Sequence, residues 1–186
     1  MKSLVFSLGQ MEEKQSTFEE FCLPHLDAAY NLARLLVNRD QDAQEIVQEA
    51  YLRALKIFKR FHGEDVRAWI LLIVRNTALS WLKKQPGDAK ILPSDKVIHS
   101  APLEEFASEA SYGERERQFH EALTRLPIEY REILIFRDVE GWSYKQLASA
   151  LNLASGAVIS RLSRARQRLW EEVTRVQDRK KSQNGM

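Results

Sequence analysis

Four arginines, Arg161, Arg164, Arg166 and Arg168, crowd one short segment that begins at Ser155-Gly156. Like charges at helical spacing repel one another, so such a cluster is favoured where it faces an anion. The small residues at its start permit close approach, and the free N–H groups of a helix N-terminus can hold a phosphate. These residue types therefore indicate binding of an anionic partner rather than a catalytic centre.

The apolar residues of this segment predict how a helix would present the arginines. Val158, Leu162, Ala165 and Leu169 step by four, three and four positions and so share one face, which should point to a core. At about 100° per residue the opposite side is polar, and Arg164 is expected to point straight out. The residues predicted outside the core face are Ser160, Ser163, Arg164 and Gln167, with Arg161 and Arg168 on one flank and Ile159 and Arg166 on the other.

The preceding segment predicts a second short helix. Ser143 and Gln146 have the spacing of a capping box, Leu147 and Leu151 share a face, and 152–154 can make a tight turn into the arginine-rich helix. Two short helices joined by such a turn form the helix-turn-helix that reads the DNA major groove. Arginine can neutralise phosphates or pair with guanine, and serine can bond base edges. The alternative is a solvated helix at the end of a bundle.

The whole chain has the periodicity of an all-α protein. Apolar residues recur at three- and four-residue steps, and no stretch alternates as a strand would. The period is lost around Pro86-Gly87, Pro93 and Pro102, in a segment of net charge −3, which predicts a flexible acidic linker. We therefore predict two small helical domains and two tails, divided as 1–14 (N-terminal tail), 15–86, 87–113 (linker), 114–178 and 179–186 (basic tail).

Three helices are predicted in the first domain. Ser16 with Glu19 and Asp42 with Glu45 have capping spacings, Pro24 should kink the first helix, and Asp65 can cap the third. The third helix, 66–84, is apolar nearly all round and should be largely buried. The predicted inward residues are Phe18, Phe21, Leu26, Tyr30, Ala33 and Val37 on the first helix, and Ile46, Val47, Ala50, Ala54, Leu55 and Phe58 on the second.

Composition excludes several classes of protein. The net charge of +2 is too small for a polycation, and the single cysteine, Cys22, excludes a disulfide framework and suits a reducing cytoplasm. A lone cysteine among helical apolar residues is most simply a core residue. No apolar run is long enough to span a bilayer, so no membrane insertion is expected. The four histidines are scattered and no catalytic constellation is present, so we expect no enzyme, no metal and no cofactor.

Three stretches in this order resemble the sigma-70 family of RNA polymerase sigma factors, in its extracytoplasmic function (ECF) group. Residues 42–54 resemble the family's polymerase-docking helix, 67–76 its promoter-opening helix, and 126–132 with 141–169 its second domain. The resemblance implies a sigma2 helical bundle and a sigma4 helix-turn-helix domain. Ser80 stands where the family usually has an acidic residue and Lys83 near its usual arginine. Because of these departures, an acid–base pairing of the family is not carried over to these positions, whereas the fold is.

The resemblance also implies three sets of binding residues. An upstream −35 duplex would be read by Ser155, Gly156, Ile159, Ser160, Arg161, Ser163, Arg164 and Arg166. A melted −10 strand, which needs aromatic pockets and positive charge, would be held by Arg60, Phe61, His62, Arg67, Trp69, Arg75 and Asn76. Core polymerase would be bound by Asp42, Glu45, Ile46, Gln48, Glu49, Leu52 and Arg53. Alternatively, Phe58, Phe61 and Trp69 are core residues, and Asn76 bonds a neighbouring backbone.

The implied partners are core RNA polymerase, through the clamp of its largest subunit and through its flap, promoter DNA, and an anti-sigma factor. Such a protein would direct promoter-specific initiation of transcription. Two other hypotheses remain open at this point. A stand-alone helix-turn-helix regulator would use the first domain to dimerise and would bind a palindrome without polymerase. A helical adaptor would bind only proteins.

Overall fold

The computed structural model of the chain describes residues 17–84 and 112–184. Every regular element in these two ranges is helical, as predicted. The chain divides into two compact units, Met1–Gln85 and Pro86–Met186. The predicted N-terminal tail, the capping residue Ser16 and most of the predicted linker lie outside the described residues.

Unit 1 is a bundle built around three long helices. Helix α1 covers residues 17–22 and runs through a 3-10 turn, Leu23–His25, into α2, Leu26–Val37. Helix α3 spans Asp40–Ile57 and continues as a 3-10 turn, Phe58–Arg60, before α4, Val66–Lys84. Helices α2, α3 and α4 pack against one another in all three pairs. Their fully buried aliphatic residues include Leu32, Leu36, Ile46, Ile70, Leu71 and Val74.

The junctions of unit 1 follow local chain chemistry. Pro24 lies in the 3-10 turn and interrupts the helix, as predicted. Asn38 ends α2 in the left-handed conformation (φ 60°) that asparagine tolerates. The predicted cap of α3 is wrong, because that helix begins at Asp40 and Asp42 lies inside its first turn, where it is buried. Asp65 caps α4 as predicted, since Ala68 N donates a 2.8 Å hydrogen bond to Asp65 Oδ1.

Helix α4 has the predicted bounds but is less buried than predicted. Only Ile70, Leu71, Val74, Thr77 and Ala78 are buried, and its other apolar side chains are half-buried. Its two neighbours in the bundle, α2 and α3, cover one side of the cylinder, so the remaining side lies at the surface. On the other helices of unit 1, three side chains predicted to face inward are exposed instead: Phe21, Leu26 and Leu55.

Within residues 112–184, unit 2 has four α-helices and one irregular turn. Helix α5 spans Tyr112–Thr124, α6 spans Ile128–Leu134 and runs into a π-helical turn, Ile135–Val139, α7 spans Tyr144–Ala150, and α8 spans Ser155–Asn184. The first three of these helices all pack against α8. The largest fully buried side chains of the unit are Phe136, Leu123, Ile133, Ile135, Leu147 and Val158.

A buried arginine joins α5 to α6. Pro127, immediately before α6, is the N-cap residue of that helix. Arg131 Nε donates to Leu123 O at 3.1 Å, and its Nη2 donates to Leu126 O at 3.0 Å and to Thr124 O. Burial lowers the pKa of this guanidinium to about 10. These charge-assisted hydrogen bonds go to carbonyls at and just after the end of α5, of which Leu123 O also accepts from Leu126 N at 3.2 Å.

Candidate nucleic-acid interface

The turn between α7 and α8 has the geometry of a helix-turn-helix. Ser143 Oγ accepts a hydrogen bond from Gln146 N at 3.2 Å, and Ser143 N donates to Gln146 Oε1 at 2.9 Å, so the predicted capping box is present. The turn itself is closed by Leu153 N donating to Ala148 O at 2.9 Å, with Asn152 at φ 53°. Leu147 is completely buried and anchors the short α7 on the core.

The core face of α8 is the one predicted from its spacing. Val158, Leu162, Ala165 and Leu169 are all buried. The N-terminal turn presents the opposite surface, where Ser155, Gly156 and Ser160 are exposed and the Ile159 side chain is 57% exposed. A Cβ added at Gly156 would meet no atom within 4 Å, so this end of the helix is open to an approaching partner. The exposed surface at this end of α8 is therefore made of small and polar residues, with Ile159 as its one large aliphatic side chain.

The arginines of α8 are less available than predicted. Arg164, expected to point straight out, is half-buried and its Nε is inaccessible to solvent. Position 164 lies about 130° from the centre of the core face rather than opposite it, so its long side chain can lie back along the flank. Arg161, on the same flank, is also half-buried, as is Ser163. Arg168 is exposed, 3.5 Å from Glu171.

Arg166, predicted to contact DNA, forms an ion pair with an acidic residue of the same unit. Its Nη2 donates to Asp138 Oδ1 at 2.6 Å and its Nε to Asp138 Oδ2 at 3.4 Å, a bidentate pair across 28 positions of sequence. The hydrogen bond to Asp138 raises the pKa of Arg166 above its ordinary value. The two side chains are 30% and 25% exposed, so the pair lies at the rim of the unit. The predicted DNA contact thus has a competing internal partner.

Helix α3 of unit 1 exposes most of the residues predicted to dock on polymerase. Glu45, Gln48, Glu49 and Arg53 are exposed, with Arg53 donating to Glu49, and the Leu52 side chain is 55% exposed. Two of the predicted residues do not belong to that surface. Ile46 is 1% exposed and is a core residue. Asp42 is 9% exposed and pairs with Arg39 at 3.6 Å.

The aromatic residues between α3 and α4 form one connected cluster. The rings of Phe61 and Trp69 are 4.7 Å apart, and Phe58 is 6.1 Å from Trp69 and 5.3 Å from buried Phe18. Such distances are those of stabilising aromatic pairs. Phe61 and Trp69 are both half-buried. They are therefore part of the packing of unit 1, although neither residue is fully buried.

The polar residues predicted around a −10 strand lie mainly at the surface. Arg60, His62 and Arg67 are exposed, and a ring nitrogen of His62 lies 2.8 Å from Arg60 O. Arg75 Nη1 donates to Asn76 Oδ1 at 2.9 Å. Asn76 is exposed and Arg75 half-buried on the α4 surface.

Sequence analysis missed two residues that shape unit 2. Asp138 was not singled out, because nothing in the local pattern shows that a carboxylate 28 positions away faces Arg166. Arg137 was missed as well, although it lies 4.9 Å over the Tyr144 ring and donates to Trp142 O at 2.6 Å. In the described ranges no group of three or more His, Cys, Asp or Glu residues could hold a metal ion. Among the helices of those same ranges, none has the length and hydrophobicity needed to cross a membrane.

Each of the two units matches a known protein family. The family model for sigma-70 region 2 matches residues 23–86, and the one for sigma-70 region 4 matches residues 116–169. The chain is 33% identical to the ECF RNA polymerase sigma factor SigM of Mycobacterium tuberculosis over 82% of this chain and 74% of that protein. It is 27% identical to the ECF RNA polymerase sigma factor SigE of Mycolicibacterium smegmatis over 89% of this chain, and spans 65% of that protein, slightly under two thirds.

A solved structure agrees with the sequence comparison. The sigma factor RpoE of Bartonella quintana, crystallised in complex with the anti-sigma factor NepR, matches with a TM-score of 0.65 and 29% identity, over 85% of this chain and 97% of that one. The two matched regions occur in the order of the two units, and the second contains the helix-turn-helix. The chain belongs to the sigma-70 family of RNA polymerase sigma factors, in its ECF group.

Proposed function

We propose that this protein is a dissociable specificity subunit that binds core RNA polymerase and directs transcription initiation at particular promoters. The observation that carries the proposal is the capped α7, the tight turn and the open N-terminus of α8 in one unit, in a chain whose other unit matches sigma-70 region 2. The chain itself would supply no catalysis. Polymerisation would belong to the partner polymerase, which places the complex in the cytoplasm.

In unit 2, the first two turns of α8 would enter the major groove of the −35 duplex. Ser155, Gly156 and Ser160 are exposed there, and Ile159 offers an apolar contact of the kind that a thymine methyl accepts. The N-terminus of a 30-residue helix favours a phosphate beside the bases. Arg161, Ser163 and Arg164, half-buried on the sides of the helix, would contribute at the edge of this footprint.

In unit 1, the loop before α4 and the adjoining face of that helix would hold the melted −10 strand. Arg60, His62 and Arg67 are exposed cations or hydrogen-bonding groups for a backbone, and Asn76 can bond a base edge. Stacking of an unpaired base on an aromatic ring contributes about 1–3 kcal/mol. Phe61 and Trp69 would offer such a ring only through their exposed part, because the rest packs in the aromatic cluster.

The exposed side of α3 would dock on the clamp of the largest polymerase subunit. Leu52 is a large apolar side chain on a surface of charged residues, as is typical of the centre of an interface. Glu45, Gln48, Glu49 and Arg53 would form its polar rim. Unit 2 would contact the polymerase flap. Each unit has a small DNA footprint, so linking both through the polymerase would provide most of the affinity.

An anti-sigma factor is a further proposed partner. RpoE of Bartonella quintana, which this chain resembles over 85% of its length, was solved bound to one. A protein that covers exposed apolar residues such as Leu52 and Ile159 would compete with polymerase and DNA together. Co-purification of the chain from its own cells, with and without the Leu52→Glu substitution, would show whether a partner of this kind uses that surface.

Reconstitution with core polymerase tests the proposal. Core enzyme lacking its own specificity subunit is mixed with the chain and a library of duplex DNA that is randomised upstream of a transcribed barcode. The barcodes in the transcripts are sequenced to identify the upstream sequences that were used. We expect enrichment of two short motifs separated by a fixed spacing. A chain that binds a palindrome as a dimer without polymerase would be a stand-alone regulator, and a chain that binds polymerase but selects no sequence would be an adaptor. Either result would refute the proposal.

A further inference from the structure

The Asp138–Arg166 pair connects the π-helical turn after α6 to the middle of α8. Arg166 lies two helical turns after Ile159 on the same flank of α8. It therefore places a positive charge beside the N-terminal turns of α8 that are proposed to enter the major groove. Asp138 holds it through two N–H groups, and the pair is 30% and 25% exposed. Both partners are therefore accessible enough for a phosphate to compete with the carboxylate.

The Asp138–Arg166 pair has no net charge and therefore exerts little attraction on the DNA phosphates. A guanidinium that forms a bidentate pair with a carboxylate releases no counterion when a phosphate approaches, unless the pair is broken. Breaking it would leave Asp138 as a negative charge beside the DNA backbone. Tyr144 also faces Arg166, and the Arg137 guanidinium lies 4.9 Å over the Tyr144 ring. Neither group is required for the neutrality of the pair, which the Asp138 carboxylate alone provides.

We propose that Asp138 is a positioning residue that withholds Arg166 from the DNA phosphates and fixes the flank of α8, so that sequence-independent attraction is low relative to base recognition. This inference rests on the proposed reading of −35 duplex by α8. It assigns to Arg166, predicted from sequence as a DNA contact, a structural role in the free and bound protein. It also assigns a role to a carboxylate that sequence analysis did not single out.

The salt dependence of DNA binding distinguishes the two roles of Arg166. For duplex DNA the slope of log K against log salt concentration changes by about 0.9 for each phosphate contacted. One additional contact makes affinity fall about threefold more between 50 and 200 mM salt. The probe is the duplex that the wild-type holoenzyme selects from a randomised library, and a second duplex has the same −10 motif with a scrambled −35 motif.

Five variants are compared in the holoenzyme: Asp138→Asn, Asp138→Glu, Arg166→Gln, the double variant of Asp138→Asn with Arg166→Gln, and Glu129→Gln as a control that removes one negative charge from α6 without touching the pair. We expect Asp138→Asn to steepen the slope by about 0.9 and to lower the preference for the selected over the scrambled duplex. Arg166→Gln and the double variant should keep the wild-type slope. Asp138→Glu should restore wild-type behaviour.

Two results would overturn the inference. A slope that becomes shallower by about 0.9 in Arg166→Gln would mean that Arg166 already contacts a phosphate. An unchanged slope in Asp138→Asn, with the same result in the Glu129→Gln control, would make the pair a packing contact only. Thermal unfolding of each variant shows whether it is folded. If Asp138→Asn does not fold, the salt slope of Arg166→Gln still shows whether Arg166 contacts a phosphate in the wild-type protein. Failure of the wild-type chain to support initiation would instead count against the proposed function.

Discussion

Ile46 and Leu52 lie on the same helix, yet the structure gives them opposite roles. Ile46 is 1% exposed between α3 and its neighbours, whereas Leu52 is 55% exposed. Replacing a fully buried isoleucine by alanine removes three carbon atoms and leaves a cavity, which costs about 2–5 kcal/mol. A domain of about 70 residues has a total stability of roughly 3–10 kcal/mol, so Ile46→Ala should remove about a fifth of it or more. Leu52→Ala should cost less than about 1 kcal/mol, because much of its side chain is already in water.

Hydrogen exchange of the full chain separates the two effects. Amides of α2, α3 and α4 report the opening free energy of unit 1 without interference from unit 2. We expect Ile46→Ala to speed their exchange strongly, Ile46→Val to do so weakly, and Leu52→Ala to leave it nearly unchanged. A titration with core polymerase should show the reverse order at low temperature, where Ile46→Val is still folded: Leu52→Ala weakens binding and Ile46→Val does not. Normal exchange with weakened polymerase binding in Ile46→Ala would refute this reasoning.

Three further predictions concern other buried or crowded groups. Arg131→Met should destabilise unit 2 by roughly 2 kcal/mol, because carbonyls at the end of α5 lose their donor, and Arg131→Lys should recover only part of this; unchanged exchange of α5 and α8 amides would contradict it. Gly63→Ala would place a Cβ 2.8 Å from Phe61 Cε2, so the ring must move, and strand opening followed by 2-aminopurine fluorescence should slow; wild-type opening rates would count against any role of this loop. Burial raises the pKa of the Cys22 thiol from 9.0 to about 11 and that of Tyr51 from 10.0 to about 12, so their contribution to the stability of unit 1 is complete below pH 9 and is lost as pH rises through 11 and 12. Unfolding free energies at pH 8 and pH 10.5 test this, and Cys22→Ala should show a smaller decrease.

Local signals in the sequence predicted much of the fold. The bounds of α4, its Asp65 cap, the Ser143 capping box and the core face of α8 all depend on residues within one or two helical turns of one another. Spacing and side-chain chemistry fix such features before any tertiary contact forms. The two-domain, all-α fold follows from the same signals together with the break after residue 85.

Details of the candidate sites depended on contacts that spacing does not encode. Ile46 and Leu55 both occupy apolar positions of α3, and only the placement of α2 and α4 decides that Ile46 is buried and Leu55 exposed. The pairing of Arg166 needs the π-helical turn to bring Asp138 alongside α8, and no periodicity predicts that turn. The residues proposed to contact DNA and polymerase remain predictions.

The continuity of α8 constrains how this family member can change. Val158 at its reading end and Val173 and Val176 beyond it are all buried, so one unbroken rod is held by packing over roughly 25 Å. Inserting or deleting one residue between them would rotate everything downstream by about 100° and turn the apolar stripe away from its seat. New promoter preferences can therefore arise in this protein by exchanging side chains at the exposed tip, but hardly by altering the length of the helix that carries them.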